Sequence, residues 1–218
     1  MIAPVKHKHL ITFGSAMVVA WALGTFLFIY FWPHLVSNNF KRAILHQGFG
    51  DGPVPIDTLY TEPPKLFADP LHTSLPDGSS NLMTVGVNHD TLLTVGWLDL
   101  SRGPQVLHVP DFSGRYYSMQ FTDPFDVDFA YVGTRTTGTQ AGDYLITGPG
   151  WQGTVPQTMK QISSPDNSIL VLGRVLVYSD SDLSTAYKLA KQIQLAPLAI
   201  RQPSRSLSGS HQNSPPLR

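Results

Sequence analysis

The sequence predicts a mainly β protein, a sandwich or barrel with one C-terminal helix, carried behind a single N-terminal membrane helix. Three observations predict it. An uncharged apolar run fills residues 10–32. Short β-type runs separated by turn dipeptides fill residues 82–178. One amphipathic helical pattern follows at residues 181–195.

The apolar run holds 23 residues without a charge. As a helix it is about 34 Å long at roughly 1.5 Å per residue, enough for a hydrocarbon core of about 30 Å. Tyr30 and Trp32 stand at its far end, where amphipathic rings prefer the interface, and Pro33 is expected to stop it. It is longer than the core of a leader peptide, and its only Ala-x-Ala, Ala20-Trp21-Ala22, lies inside it. An uncleaved anchor is therefore expected, with the lipid bilayer as its partner. Lys6 and Lys8 favour a cytoplasmic N-terminus and outweigh the more distant Lys41 and Arg42. No tight GxxxG supports helix dimerisation.

Beyond the anchor, residues 35–47 read as a short helical stalk with Gly48 as its C′ residue. Residues 50–76 are rich in Pro, Gly and Asp and read as a linker. Strands are expected at residues 82–87, 91–98, 105–109, 115–121, 129–135, 144–147 and 169–178. In the fourth, Tyr117, Met119 and Phe121 fall on one face. Asp is frequent and Glu62 is the only Glu, which suits a turn-rich β protein. The helix at 181–195 has an apolar stripe of Leu183, Ala186, Tyr187, Ala190 and Ile193, with Asp180, Ser181 or Asp182 as cap. The expected division is a basic cytoplasmic flank (1–9), the membrane helix (10–32), a stalk and linker (33–68), the β domain (69–200) and a polar, disordered tail (201–218).

Composition narrows the function. The 218 residues contain no cysteine, which removes disulfides, thiolate metal sites and cysteine nucleophiles. The net charge of zero hides an asymmetry. All fifteen acidic residues lie between Asp51 and Asp182 with only six basic ones, a formal charge of −9. Such a surface repels nucleic acid, so none is expected as a partner. The basic ends suit anionic headgroups or an acidic partner.

A series of short blocks carries a resemblance. Asn88-His89-Asp90-Thr91-Leu92, Trp97-Leu98-Asp99-Leu100, Gly103-Pro104, Val106-Leu107-His108-Val109-Pro110, Gly114-Arg115-Tyr116-Tyr117, the run from Gly133 to Thr139 and Gly148-Pro149-Gly150-Trp151 occur in that order. Ser164-Pro165 and Gly173-Arg174 follow. The series resembles the bacterial family called domain of unknown function 1254 (DUF1254), over roughly residues 69–198. The resemblance implies an immunoglobulin-like antiparallel β-sandwich with a small helical element. It also implies a partner, because a second family, DUF1214, often accompanies this one, fused or as a separate chain. Leu93 stands where the family usually has Tyr.

Several residues can carry chemistry. His89 beside Asp90 pairs an imidazole with a carboxylate for acid–base work, although Asn88 and Asp90 also suit a tight turn. Arg115, with Tyr116 beside it, can grip a carboxylate or phosphate in a bidentate manner, or staple loop carbonyls. Arg135 and Arg174 allow the same two readings. Asp99 and Asp111 read as turn residues. Asp123, Asp126 and Asp128 offer hard oxygens for Ca²⁺ but lack the Gly and distal Glu of an EF-hand loop, so a solvated turn is preferred. No other cofactor is expected. There is no Gly-x-Ser-x-Gly elbow, Walker loop or His-Glu-x-x-His, and His72, His89 and His108 are scattered. The preferred functional reading is a single-pass inner-membrane protein of the bacterial envelope whose periplasmic β domain is a binding or assembly module, with a DUF1214-type chain as partner. The alternative is an enzyme, or half of a two-chain enzyme, acting on a small molecule or envelope polymer. His89, Asp90, Arg115, Tyr116 and Asp123 would then line its site.

Overall fold

A computed structural model describes residues 7–48, 52–67 and 90–198. The first element is one long helix, α1 (His7–His46). Strand β1 (Tyr60–Thr61) and one helical turn, α2 (Pro64–Phe67), follow. The β region comprises β2 (Thr91–Asp99), β3 (Gln105–Val109), β4 (Tyr117–Thr122), β5 (Asp128–Gly133), β6 (Gly142–Thr147), β7 (Met159–Ser163) and β8 (Ser168–Leu176). Helix α3 (Leu183–Ala190) and β9 (Gln194–Pro197) complete it. The expected strand at 82–87 and the tail at 201–218 lie outside the described residues.

The strands form two sheets, in the orders β1-β2-β8-β4-β5 and β7-β6-β3-β9. Every pairing is antiparallel except β6 with β7, which the eleven-residue passage 148–158 makes parallel. The main core lies between the sheets. Tyr117, Met119, Phe121, Ile169, Val171 and Val175 come from one side, Leu107, Val109, Tyr144 and Ile146 from the other. The alternation read in β4 is present, with Tyr117, Met119 and Phe121 fully buried.

Strands β2 and β8 are buried on both faces. Leu98, Ile169 and Val171 enter the main core, whereas Val95, Trp97 and Leu170 point the opposite way. A strand apolar on both sides needs a cover on each. The end of α1 supplies the outer one. Ile44, 1% exposed, joins Val54, Val95, Trp97 and Leu170 in a second cluster, with Phe40 against it. The Phe40 and Trp97 rings meet edge-on at 6.3 Å. Lys41 Nζ donates to Ser168 Oγ at 3.0 Å, and Trp97 Nε1 donates to the same oxygen at 2.8 Å.

This contact explains why Pro33 does not end the helix. Proline inside a helix costs about 3 kcal/mol. Burying a side chain such as Ile44 contributes about 1.5–3 kcal/mol, and Phe40, Val54 and Trp97 add to it, so packing beyond the proline outweighs the local penalty. The expected stalk is thus the last three to four turns of α1. It ends at Gly48, whose φ of 69° suits glycine. Gly48 N–H donates to the Ala43 carbonyl, and Val54 N–H to that of Ile44.

The C-terminal helix is shorter than the expected 181–195. A 3₁₀ turn occupies Asp180–Asp182, α3 stops at Ala190, and Gln194–Pro197 pairs with β3 as an edge strand. The open edge of β3 offers ladder partners that a helix would leave unpaired, and Ile193 and Leu195 reach the main core from this geometry. Asp182 holds the N-cap position of α3 without bonding as a cap.

Ile44→Ala tests the outer cover. Alanine is the better helix former, yet the substitution should destabilise the protein by about 2–5 kcal/mol through lost packing. Denaturant unfolding of the full chain in detergent, followed through the β signal, measures this; an unchanged midpoint would place the end of α1 outside the core.

Candidate functional site

Arg115 lies just before β4, at the sheet end where β2 begins and β8 finishes. Its guanidinium forms a two-pronged grip on Asp182, Nη1 to Oδ2 at 2.5 Å and Nη2 to Oδ1 at 2.7 Å. Nη1 also donates to the Leu176 carbonyl at 2.7 Å. The guanidinium lies 4.7 Å from the centre of the Tyr178 ring, and Asp182 Oδ2 accepts a further bond from Tyr178 N–H. Arg115 thus grips a carboxylate of its own chain, Asp182, and staples the Leu176 carbonyl. The arrangement locks the entry of α3 onto the end of β8.

Asp90 and Tyr116 share this end of the sheet. The Asp90 carbonyl accepts from Val177 N–H, and the Tyr116 carbonyl from Leu176 N–H. Arg135 stands 5.7 Å over the Tyr116 ring. His89 lies outside the described residues. Asp123 occupies the far end of β4, about 25 Å along the strand from Arg115 at about 3.3 Å per residue. The structure thus brings Asp90, Arg115 and Tyr116 to one sheet end and places Asp123 at the other.

Two of the three acidic residues of the β4–β5 turn, Asp123 and Asp128, have separate duties. Asp123 Oδ1 accepts from the Phe125 and Val127 amides at 2.8 and 3.0 Å. Asp126 adopts a φ of 64° at the turn. Asp128 accepts from Gln120 and Thr122, both at 2.8 Å, and from the Tyr131 hydroxyl. That last bond pushes the Tyr131 phenol above its usual range. Both oxygens of Asp128 thus take donors of the chain itself, which leaves that carboxylate few lone pairs for a cation. Among the described residues no group of three or more His, Asp or Glu side chains could hold a metal ion. Asp99 and Asp111 serve turns as expected, accepting from the Ser101 and Ser113 amides.

The same turn borders an apolar cleft. A half-open cleft of about 290 Å³ separates α1 from the outer sheet face. Trp32, Val36 and Phe40 of the helix line it on one side, Trp97 and Leu170 of the sheet on the other, and residues 123–126 complete the lining. The Phe125 ring meets His34 edge-on at 4.3 Å. Sequence reasoning missed Trp97, Ser168, Phe125 and the role of Asp182. An aromatic residue flanked by acids in a turn was the signal for Phe125. Nothing local pairs Asp182 with a residue 67 positions away.

The Arg115 grip has a pH signature. The Arg115 side chain and the Tyr178 amide hold the Asp182 carboxyl at about 2, below the ordinary carboxylate value of about 3.9. A depressed folded-state value means that the pair's contribution is present above about pH 4 and is lost as pH falls towards 2. The wild-type melting temperature should therefore fall across that window. Asp182→Asn should melt lower at neutral pH and show a flatter profile between pH 4 and 2; parallel profiles would contradict the assignment.

Comparison with known proteins fits this architecture. The chain is similar in structure to the VPA0106 protein from Vibrio parahaemolyticus, with a TM-score of 0.56 and 23% identity over 78% of this chain and 37% of that one. An uncharacterized protein from Burkholderia cenocepacia aligns at a TM-score of 0.39 and 11% identity, covering 80% of this chain and 43% of that one. The chain thus spans well under half the length of either, and the likeness to VPA0106 is one of fold. No curated protein matches the sequence. The model of a family described as protein of unknown function, DUF1254, matches residues 69–197, more than half of the 218 residues. The chain belongs to the DUF1254 family.

Proposed function

We propose that this protein is a single-pass bacterial envelope protein, with its N-terminus in the cytoplasm and its β domain held at the periplasmic face of the inner membrane as a binding or assembly module. One observation carries the reading: a single helix is both the apolar segment and part of the domain's packing. Its side chains from Phe13 to Trp32 include twelve large exposed apolar residues and Tyr30, while Ile44 on the same helix is buried against the sheet. An uncharged segment of this length left bare in water would be costly, and a bilayer removes the cost. The apolar run of 23 residues is longer than a leader peptide's core, and its only Ala-x-Ala, Ala20-Trp21-Ala22, lies inside it. Lys6 and Lys8 before the segment favour the stated orientation.

The partner that best suits the module is a separate membrane-anchored chain of the DUF1214 type, which the family resemblance implies. Co-anchoring two chains in one membrane raises their effective concentration, so a modest interface suffices. Three candidate residues of the β domain, Arg115, Asp123 and Asp128, are engaged within their own chain. That favours a structural use of these groups over a reactive one.

A reporter active only outside the cytoplasm, fused after Ile200, should be active in cells, and a cytoplasm-active reporter at the same place silent. The reverse pattern would overturn the orientation. Extraction in mild detergent should co-purify the second chain at near-equal amounts; a lone, monodisperse DUF1254 chain would contradict the assembly role.

A further inference from the structure

Just beyond Trp32 the helix and the sheet do not close on one another, and the space between them is the 290 Å³ cleft. Its walls, Trp32, Val36, Phe40, Trp97 and Leu170, are apolar. Its position follows from the helix. Phe125, part of the lining, touches His34, only two residues or about 3 Å of rise beyond Trp32. Phe125 and Val127, 44% and 56% exposed, present apolar surface beside this level. The Tyr30 and Trp32 rings mark the height at which headgroups meet hydrocarbon. The Trp32 end of the cleft therefore stands at the level where acyl chains of the adjoining leaflet begin.

We propose that the cleft takes one acyl chain of a phospholipid drawn from the leaflet that α1 leaves, with Phe125 and Val127 seated among the headgroups. This rests on the membrane-anchor reading above. The volume lies at the low edge of ligand pockets, about 300 Å³, which suits part of one chain rather than a whole lipid. Asp123 and Asp126 in the lining disfavour an anionic headgroup and suit the ammonium of an ethanolamine or choline headgroup. The turn is well built for this place, because Asp123 satisfies the amides of both Phe125 and Val127 and leaves little bare backbone to desolvate.

Trp97 reports on the cleft. It packs against Phe40, eight residues or about 12 Å of helix beyond Trp32, so chains that stay in the bilayer do not reach it. The full chain is reconstituted in phosphatidylethanolamine–phosphatidylcholine vesicles whose phospholipids carry bromine at mid-chain, a contact quencher of indole emission. One variant keeps only Trp97 (W21F, W32F, W151F) and another keeps only Trp21 (W32F, W97F, W151F), with circular dichroism confirming the fold of each. Both should lose emission relative to unbrominated vesicles. Adding Ser37→Phe, which fills the cleft, should restore Trp97 emission and leave the Trp21 loss unchanged. Quenching of Trp21 without Trp97, or Trp97 quenching that survives Ser37→Phe in a folded protein, would overturn the proposal. If Trp21 itself escapes quenching, the anchor reading fails and the proposal falls with it.

Discussion

The last turns of α1 lie on the outer face of β2 and β8, and the rest of the molecule depends on that contact. Both strands are apolar on both sides, so the main core alone leaves half their side chains uncovered. Ile44 and Phe40 cover Val95, Trp97 and Leu170. Ser168 ties the contact by accepting from both Lys41 and Trp97. Lys41 also lies 5.7 Å over the Trp97 ring, so its charge is spent on an aromatic face and a hydroxyl. The contact carries the helix through Pro33, fixes the domain to the apolar segment and shapes the cleft beneath it.

Much of the fold was legible because its signals are local. Alternation in residues 117–121 located β4 and its inward face, and residues 105–109 gave β3 to the residue. The apolar run gave the first half of α1 from its composition alone. Elements defined by a distant partner were not legible. β7 buries only Ile162 and exists because β6 offers it a parallel edge. β9 continues a helical pattern in sequence and becomes a strand because β3 has a free side. Proline at position 33 gave a correct local penalty, but packing eleven residues further on decided the outcome.

The candidate site was legible in the same proportion. The two-pronged chemistry of Arg115 can be read from its type, whereas the identity of the bound carboxylate depends on how α3 docks. Asp123, Asp126 and Asp128 looked like a cluster in sequence. In space the oxygens of Asp123 and Asp128 are divided among turn amides, Gln120, Thr122 and Tyr131. The apolar cleft gave no sequence signal, because its walls come from residues more than fifty positions apart.

The central claim is that the helix beyond Pro33 and the β domain form one rigid unit. Hydrogen exchange of the full chain in lipid nanodiscs tests it most directly. Amides of residues 36–46 should exchange as slowly as those of β2 and open together with them, since both belong to one packed cluster. Exchange of residues 36–46 orders of magnitude faster than β2, with residues 12–32 still protected, would instead make Pro33 a hinge and contradict the account.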